Sequence, residues 1–124
     1  GISTKELDKI AFDFIKSKDA IPSFKGYGGF PATICASVNN QLIHGIPSDI
    51  ILKEGDIVSI DVGTYKNGFH ADAARTFAVG NISDEAKRLI DVTRECFFEG
   101  IKFAKVGYYL YDISAAIQKY MVFQ

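Results

Sequence analysis

The chain has 124 residues, of which 48% are hydrophobic and 23% are charged, and its formal net charge is −1. This length suits one domain with a modest core, and this composition excludes an intrinsically disordered chain. A nearly neutral chain without a Lys/Arg run lacks the basic surface of a nucleic-acid-binding protein. We therefore expect no nucleic-acid partner. No signal-peptide pattern and no apolar run of about 18 residues is present, so we also expect no membrane partner and a cytoplasmic location.

The chain begins and ends with helical patterns. Ser3 and Glu6 have the spacing of a capping box, which predicts an amphipathic helix over residues 4–17 with an apolar stripe of Leu7, Ile10, Ala11, Phe14 and Ile15. The last residues, 112–124, also repeat apolar side chains at helical spacing, without a stop signal. Because the chain starts without a methionine and ends within a helical pattern, we expect residues 1–124 to be a single incomplete domain.

Two β-hairpins are predicted after a loop that is rich in glycine and aromatic residues. The strands of the first are "ATICASV" and "QLIHG", joined at Asn39-Asn40. The strands of the second are "DIVSIDVGTY" and "FHADAARTFAV", joined at Asn67-Gly68, which is the strongest turn signal in the chain.

A long helix over about residues 84–105 is predicted next, with Ser83 as its N-cap. Helices together with antiparallel strands indicate the α+β class, with the hairpins packed against the helices.

The second hairpin predicts where two carboxylates lie. If Asn67 and Gly68 are the two loop residues of a type I′ turn, Asp61 faces Ala74 across the strands. Side chains alternate between faces with a period of two, so Asp61 and Asp72 are diagonal neighbours on one face, with Cβ atoms ~6 to 8 Å apart.

Two close, partly buried carboxylates repel each other, so they require a metal ion, an arginine or a shared proton. Arg75 has the wrong parity to reach the face of Asp61 and Asp72, which weakens the second option. The alternative is a slipped register in which both carboxylates are solvated.

Two histidines are further candidates for the functional site. His70 shares the face of Asp72, so it is either a metal ligand beside the carboxylates or a residue that supports the site without binding metal. His44 stands at a predicted strand end before Gly45, where it either donates a hydrogen bond to a substrate carbonyl or is satisfied by backbone groups.

Two long stretches, "GYGGFPATICASVNNQLIHGIPSD" and "GDIVSIDVGTYKNGFHADAARTFAVG", closely resemble the methionine aminopeptidases of the His-Gly-Ile-Pro subgroup. The resemblance extends from "GISTKELD" to "DISAAIQKY" and corresponds to the N-terminal half of those enzymes. Prolidases and aminopeptidases P share the Asp-x10-Asp arrangement but lack the His-Gly-Ile-Pro run, which favours the methionine enzymes.

The resemblance implies half of a pita-bread (creatinase/aminopeptidase) fold and removal of N-terminal methionine from nascent polypeptides. Asp61 and Asp72 match the family's two aspartate ligands of a pair of divalent metal ions, which the sequence does not resolve among Co, Mn, Fe, Zn and Ni. His44 matches the histidine that contacts the substrate near the scissile peptide bond. His70 matches a position that is not a ligand.

The resemblance also implies a pocket for the methionine side chain at Tyr27, Phe30 and Cys35, for which ordinary core packing is the alternative. The family's remaining ligands, one histidine and two glutamates, belong to its second half and do not occur in this chain. We therefore expect weak or no metal binding and no peptidase activity by the 124-residue chain alone. The other candidate function is a non-catalytic half-domain that binds a peptide or self-associates.

Overall fold

Residues 1–123 are described in a computed structural model, and their contacts divide the chain into two compact units, Gly1–Ile82 and Ser83–Gln124. The observed elements belong to the predicted α+β class. The expectation of a single incomplete domain stays a prediction, because compactness alone does not measure whether the two units fold together. No helix within residues 1–123 is long and apolar enough to cross a membrane.

Helix α1 of the first unit spans Thr4–Ser17, as predicted. The backbone N–H of Ser3 donates to Glu6 Oε2 at 2.8 Å, and the N–H of Glu6 donates to Ser3 Oγ at 3.1 Å, so the capping box is confirmed. The predicted apolar stripe is buried only in part, because Ile15 is buried whereas Phe14 is 62% exposed.

The first unit contains one antiparallel sheet of four strands, which are β1 (Ile21–Pro22), β2 (Ile34–Val38), β3 (Ile57–Lys66) and β4 (Phe69–Ala78). Strands β1 and β2 both pair with one edge of β3, and β4 pairs with its other edge. Every residue of β4 except Thr76 is exposed, so this strand forms a free edge of the sheet within the described chain.

The second predicted hairpin is confirmed in position and register. Lys66 pairs with Phe69, and the ladder continues without a bulge to Ile57 and Ala78. Asn67 and Gly68 have φ angles of 53° and 88°, which are the left-handed values of a type I′ turn.

The first predicted hairpin is wrong. Strand β2 forms, but residues 41–45 are not a strand, and β2 pairs with β3 instead. The segment returns to β2 at one point, where the N–H of Ala36 donates to the Gly45 carbonyl oxygen at 2.8 Å. The left-handed φ of 56° at His44 prevents an extended strand, and Leu42 remains 86% exposed.

The second unit is a helical hairpin of α2 (Asp84–Ile101) and α3 (Leu110–Val122). Ser83 caps α2 as predicted, since its Oγ accepts from the N–H of Ala86 at 3.2 Å. The helix ends four residues before the predicted boundary of 105, because Phe103 and Ala104 donate to carbonyls only three residues back and tighten the chain into a turn. At Gly100 the two helices approach so closely that a Cβ would lie 2.8 Å from Ile117 Cγ1.

Candidate metal centre and its flanking cavity

The predicted carboxylate pair lies where the register argument places it. Asp61 faces Ala74, and Asp72 faces Gly63, so the two aspartates are diagonal neighbours on one face of β3 and β4. Arg75 pairs with Ile60 across the strands, and both lie on the face of the sheet opposite to that of the two aspartates, as the parity argument predicts. The slipped register is thereby excluded. The two carboxylates differ in environment, because Asp61 is half-buried and Asp72 is exposed.

Asp61 carries an incomplete set of interactions. Its Oδ1 atom is buried and has no hydrogen-bond partner among the described residues. Burial raises the pKa of Asp61 above its ordinary value, and the charge of Asp72 and a hydrogen bond with Asp72 raise this pKa further, while His44 lowers it. A buried carboxylate oxygen without a donor and with a second carboxylate beside it is an environment that a cation relieves.

The pair fits a divalent metal as part of a site. Carboxylate oxygens are donors that hard and borderline divalent ions accept, and both aspartates belong to the rigid β3–β4 ladder. Within residues 1–123, no group of three or more His, Cys, Asp or Glu side chains is arranged to hold a metal ion. The described residues therefore bring two carboxylates together on one face, which is fewer donors than a stable divalent-metal site needs.

A shallow cavity of about 80 Å³ adjoins Asp61 on the same face of the sheet. Its lining brings together Asp61, Cys35 and His44, three of the residues that the sequence predicts for the site. Cys35 lies directly opposite Asp61 on β2 and is only 6% exposed. Burial raises the pKa of the Cys35 thiol, and the charges of Asp61 and Asp72 raise it further, so this group is a neutral, polarisable wall.

Gly45 places His44 at the cavity. The N–H of Gly45 donates to Ser37 Oγ at 3.0 Å, and a Cβ on this glycine would collide with the carbonyl oxygen of Ala36. Only glycine permits this approach to β2, which fixes the turn that carries His44. The His44 side chain is exposed and lines the cavity, so its ring is available to a bound molecule.

His70 contacts two residues of the first unit through its ring. Its Nδ1 lies 2.9 Å from Ser23 Oγ, and its ring lies 4.7 Å from the ring of Tyr65. These contacts agree with the interpretation in which His70 supports the hairpin that carries Asp72.

The space beside Gly63, which lies opposite Asp72, is filled from a loop. A Cβ built on Gly63 would lie 2.5 Å from Cε1 of the Phe24 ring and 3.0 Å from Ser23 Cβ, so these two side chains cover the glycine. No periodic signal in the sequence reveals this contact, because Phe24 reaches the sheet from an irregular loop.

Tyr27 and Phe30 are not among the residues that line the cavity. Tyr27 begins a single 3-10 turn and is 82% exposed, and Phe30 follows that turn. Their assignment to the methionine pocket stays a prediction. The cavity instead includes Ser37 and Ser59, which the sequence reasoning missed although their parity with Cys35 and Asp61 places them on this face.

The comparison with known families decides the relationship. The model of metallopeptidase family M24 matches residues 1–123. The chain belongs to this family. As an M24 metallopeptidase sequence it is 61% identical over 121 residues to a methionine aminopeptidase from Clostridium perfringens and 58% identical over 122 residues to one from Clostridium acetobutylicum. Each alignment covers 98% of this chain and 49% of the relative, so the chain spans about half the length of the curated relatives it matches.

Solved structures of a methionine aminopeptidase and an Xaa-Pro dipeptidase share the fold. A methionine aminopeptidase from Rickettsia prowazekii superposes with a TM-score of 0.94 at 43% identity, over 96% of this chain and 48% of that one. An Xaa-Pro dipeptidase from Bacillus anthracis superposes with a TM-score of 0.81 at 25% identity, over 98% of this chain and 33% of that one. The fold is therefore half of the pita-bread fold, and the preference for the methionine enzymes over the prolidases is confirmed.

Proposed function

We propose that this chain is the part of a metal-dependent methionine aminopeptidase that supplies two aspartate ligands and a substrate-contacting histidine. The proposal rests on one observation: Asp61 and Asp72 share a face beside the cavity that Cys35 and His44 line. Identities of 58% and 61% to methionine aminopeptidases support the same activity. The proposed substrate of the complete enzyme is the N-terminal methionine of a nascent polypeptide, which implies a cytoplasmic location.

Asp61 and Asp72 would hold the metal pair, whose chemistry is to activate a water molecule and polarise the scissile carbonyl. His44, carried on the turn that Gly45 fixes, donates a hydrogen bond to the substrate near the peptide bond. Cys35 presents a neutral sulfur to the methionine side chain, for which a soft, polarisable wall is suited. Tyr27 and Phe30 complete the proposed pocket, and His70 orients the β4 strand.

We also propose that the 124-residue chain alone has no appreciable peptidase activity, because residues 1–123 contribute two ligating carboxylates and no third ligand. The test incubates the purified chain with a Met-Ala-Ser peptide and Mn(II) or Co(II) and measures free methionine. We expect no release above that of Asp61→Asn. Metal-dependent release that this variant lacks would contradict the proposed inactivity and would support the role of Asp61.

Calorimetric titration with Mn(II) tests the ligand assignment separately. We expect weak binding that Asp61→Asn and Asp72→Asn each abolish and that Asp49→Asn leaves unchanged, since Asp49 is an exposed partner of Lys5 and lies outside the β3–β4 hairpin. Equal binding by all three variants would contradict the assignment.

The second candidate function is that of a non-catalytic half-domain that binds a peptide or self-associates. The observation that favours it is the free edge of β4, whose exposed residues include Phe69 and Phe77. A ten-residue strand of this kind is a template for pairing with another strand.

A further inference from the structure

Residues 44–48 run from the cavity to the first turn of α1, and a buried hydroxyl group holds each end of this segment. At the first end, the N–H of Gly45 donates to Ser37 Oγ at 3.0 Å, and the N–H of Ala36 donates to the Gly45 carbonyl oxygen at 2.8 Å. Ser37 is only 3% exposed. Because the Gly45 N–H belongs to the planar peptide unit that follows His44, its bond to Ser37 sets the ψ angle of His44.

At the second end, the Thr4 hydroxyl of α1 binds both backbone groups of Ser48. The Ser48 N–H donates to Thr4 Oγ1 at 2.9 Å, and Thr4 Oγ1 donates to the Ser48 carbonyl oxygen at 3.0 Å. Thr4 is 1% exposed, and the N–H of Lys5 donates to the same carbonyl oxygen at 2.9 Å. The ring of Pro47 fixes its own φ, so few backbone torsions remain free between the two ends of the segment.

The residue that the segment presents to the cavity has a strained backbone. His44 has a φ of 56°, in the left-handed region that a side chain with a Cβ disfavours. The residues before it, Leu42 and Ile43, are 86% and 65% exposed, so packing does not hold His44 from that side. A strained conformation persists only where the surrounding contacts impose it. The hydroxyl contacts at the two ends of the segment are the contacts that do so here.

We propose that Thr4 and Ser37 are positioning residues of the proposed site, because their hydroxyl groups hold His44 in the left-handed conformation that places its ring at the cavity beside Asp61. The proposal rests on the proposed role of His44 in contacting the substrate. It adds that the first turn of α1, far from His44 along the chain, sets the position of that contact.

The benefit of the two hydroxyl contacts is preorganisation. A donor that must be ordered when the substrate binds costs conformational entropy, whereas a donor that is already held in place does not. Removal of either hydroxyl group would leave a backbone N–H of the segment without its acceptor and would allow residues 44–48 to adopt other conformations. The ring of His44 would then spend less time at the cavity.

Each hydroxyl group has a matched control in the same unit. Ser59 lines the same cavity and pairs with Ser37 across β2 and β3, but its Oγ lies 2.7 Å from Thr76 Oγ1 instead of binding the segment. Thr33 is 0% exposed, and its Oγ1 has no partner among the described residues. The test therefore compares Ser37→Ala with Ser59→Ala, and Thr4→Val with Thr33→Val, in the 124-residue chain. Thr4→Ser keeps the hydroxyl group and is the conservative variant.

Nuclear magnetic resonance reads the backbone of His44 directly, because a positive φ brings the amide proton and Hα of one residue close together and gives a strong NOE between them. We expect this NOE at residue 44 in the unsubstituted chain, in the two control variants and in Thr4→Ser. It should be lost in Ser37→Ala and in Thr4→Val. Retention of the NOE in either of these two variants, or its loss in Thr4→Ser or a control, would overturn the proposal.

Amide hydrogen exchange separates a local effect from a general loss of stability. The amide of Gly45 should exchange at least about fivefold faster in Ser37→Ala, and the amide of Ser48 should do so in Thr4→Val. The amide of Phe69, in the turn of the β3–β4 hairpin, should keep its rate in both variants. An equal acceleration at Phe69 would overturn the proposal, because the substitutions would then act on the whole unit.

A Met-Ala-Ser peptide distinguishes this proposal from the proposed function. At constant pH, we expect the peptide to shift the ring proton signals of His44 in the unsubstituted chain, and to shift them less than about half as much in Ser37→Ala and Thr4→Val. Equal shifts in every chain would overturn the positioning role and leave the substrate contact of His44 intact. No shift in any chain, together with loss of the NOE in both variants, would contradict that substrate contact and leave the positioning role intact.

Discussion

Asp61 combines a buried carboxylate oxygen that has no partner among the described residues with a second carboxylate beside it. Burial and Asp72 raise its pKa, so the folded chain binds this proton more tightly than the unfolded chain does. The resulting contribution to stability is complete below the unfolded-state pKa of about 3.9 and is lost as the pH rises through the folded-state pKa. In the absence of metal, Asp61 therefore destabilises the fold at neutral pH.

We predict that Asp61→Asn raises the free energy of unfolding of the chain by about 1 kcal/mol in EDTA at neutral pH, because it removes the repulsion and keeps the shape. Urea denaturation with and without Mn(II) measures this. The variant should gain nothing from Mn(II), whereas the unsubstituted chain should become more stable. Asp49→Asn is the matched control and should match the unsubstituted chain in both conditions. A loss of stability in Asp61→Asn in EDTA would contradict the argument.

The element that carries the site is the β3–β4 hairpin, and its turn sets the register of both aspartates. Asn67 has a φ of 53°, in the left-handed region. Asparagine tolerates this region because its short polar side chain can hydrogen-bond locally, whereas most other residues with a Cβ adopt it only at a cost in free energy. A slip of one residue would move Asp72 to the opposite face from Asp61. The turn therefore acts on the proposed metal site from a distance, through the ladder.

We predict that Asn67→Ala lowers the free energy of unfolding by about 1 kcal/mol, because alanine is strained in the left-handed region. Asn67→Gly is the matched control and should retain stability within about 0.5 kcal/mol. Thermal denaturation of the three chains decides between them. Equal stability of the alanine and glycine variants would contradict the argument that the left-handed conformation at residue 67 is strained for alanine.

At the scale of the whole molecule, the two compact units differ in how much they bury. The first unit buries Ile34, Ala36 and Val58 around its sheet, whereas the second buries only Cys96 and Gly100 among its described residues. A short helical hairpin with so little buried surface does not offset the entropy of ordering its backbone.

We predict that a peptide of residues 83–124 is largely unfolded by itself, with less than about half the helical signal that the residues of α2 and α3 would give as complete helices. Circular dichroism of the peptide in buffer measures this signal, and the same peptide in a helix-inducing alcohol gives the reference for complete helices. A spectrum in buffer that equals the reference would contradict the prediction and would mean that α2 and α3 are stable as an independent unit.

Features that depend on neighbours along the chain could be predicted from the sequence. The capping box of Ser3 and Glu6, the type I′ turn at Asn67-Gly68 and the shared face of Asp61 and Asp72 follow from side-chain chemistry and the period of two. The resemblance to the methionine aminopeptidases likewise needs only the ordered residues of the chain.

Features that depend on distant neighbours were decided by the tertiary structure. The segment with His44 could not be placed because its return to β2 depends on the contacts of Gly45 with Ala36 and Ser37. The space beside Gly63 is filled from a loop by Phe24, and every residue of β4 except Thr76 is exposed. Local periodicity specifies which residues share a face of a strand or helix. Which residues pack against that face depends on contacts between segments that are far apart in sequence.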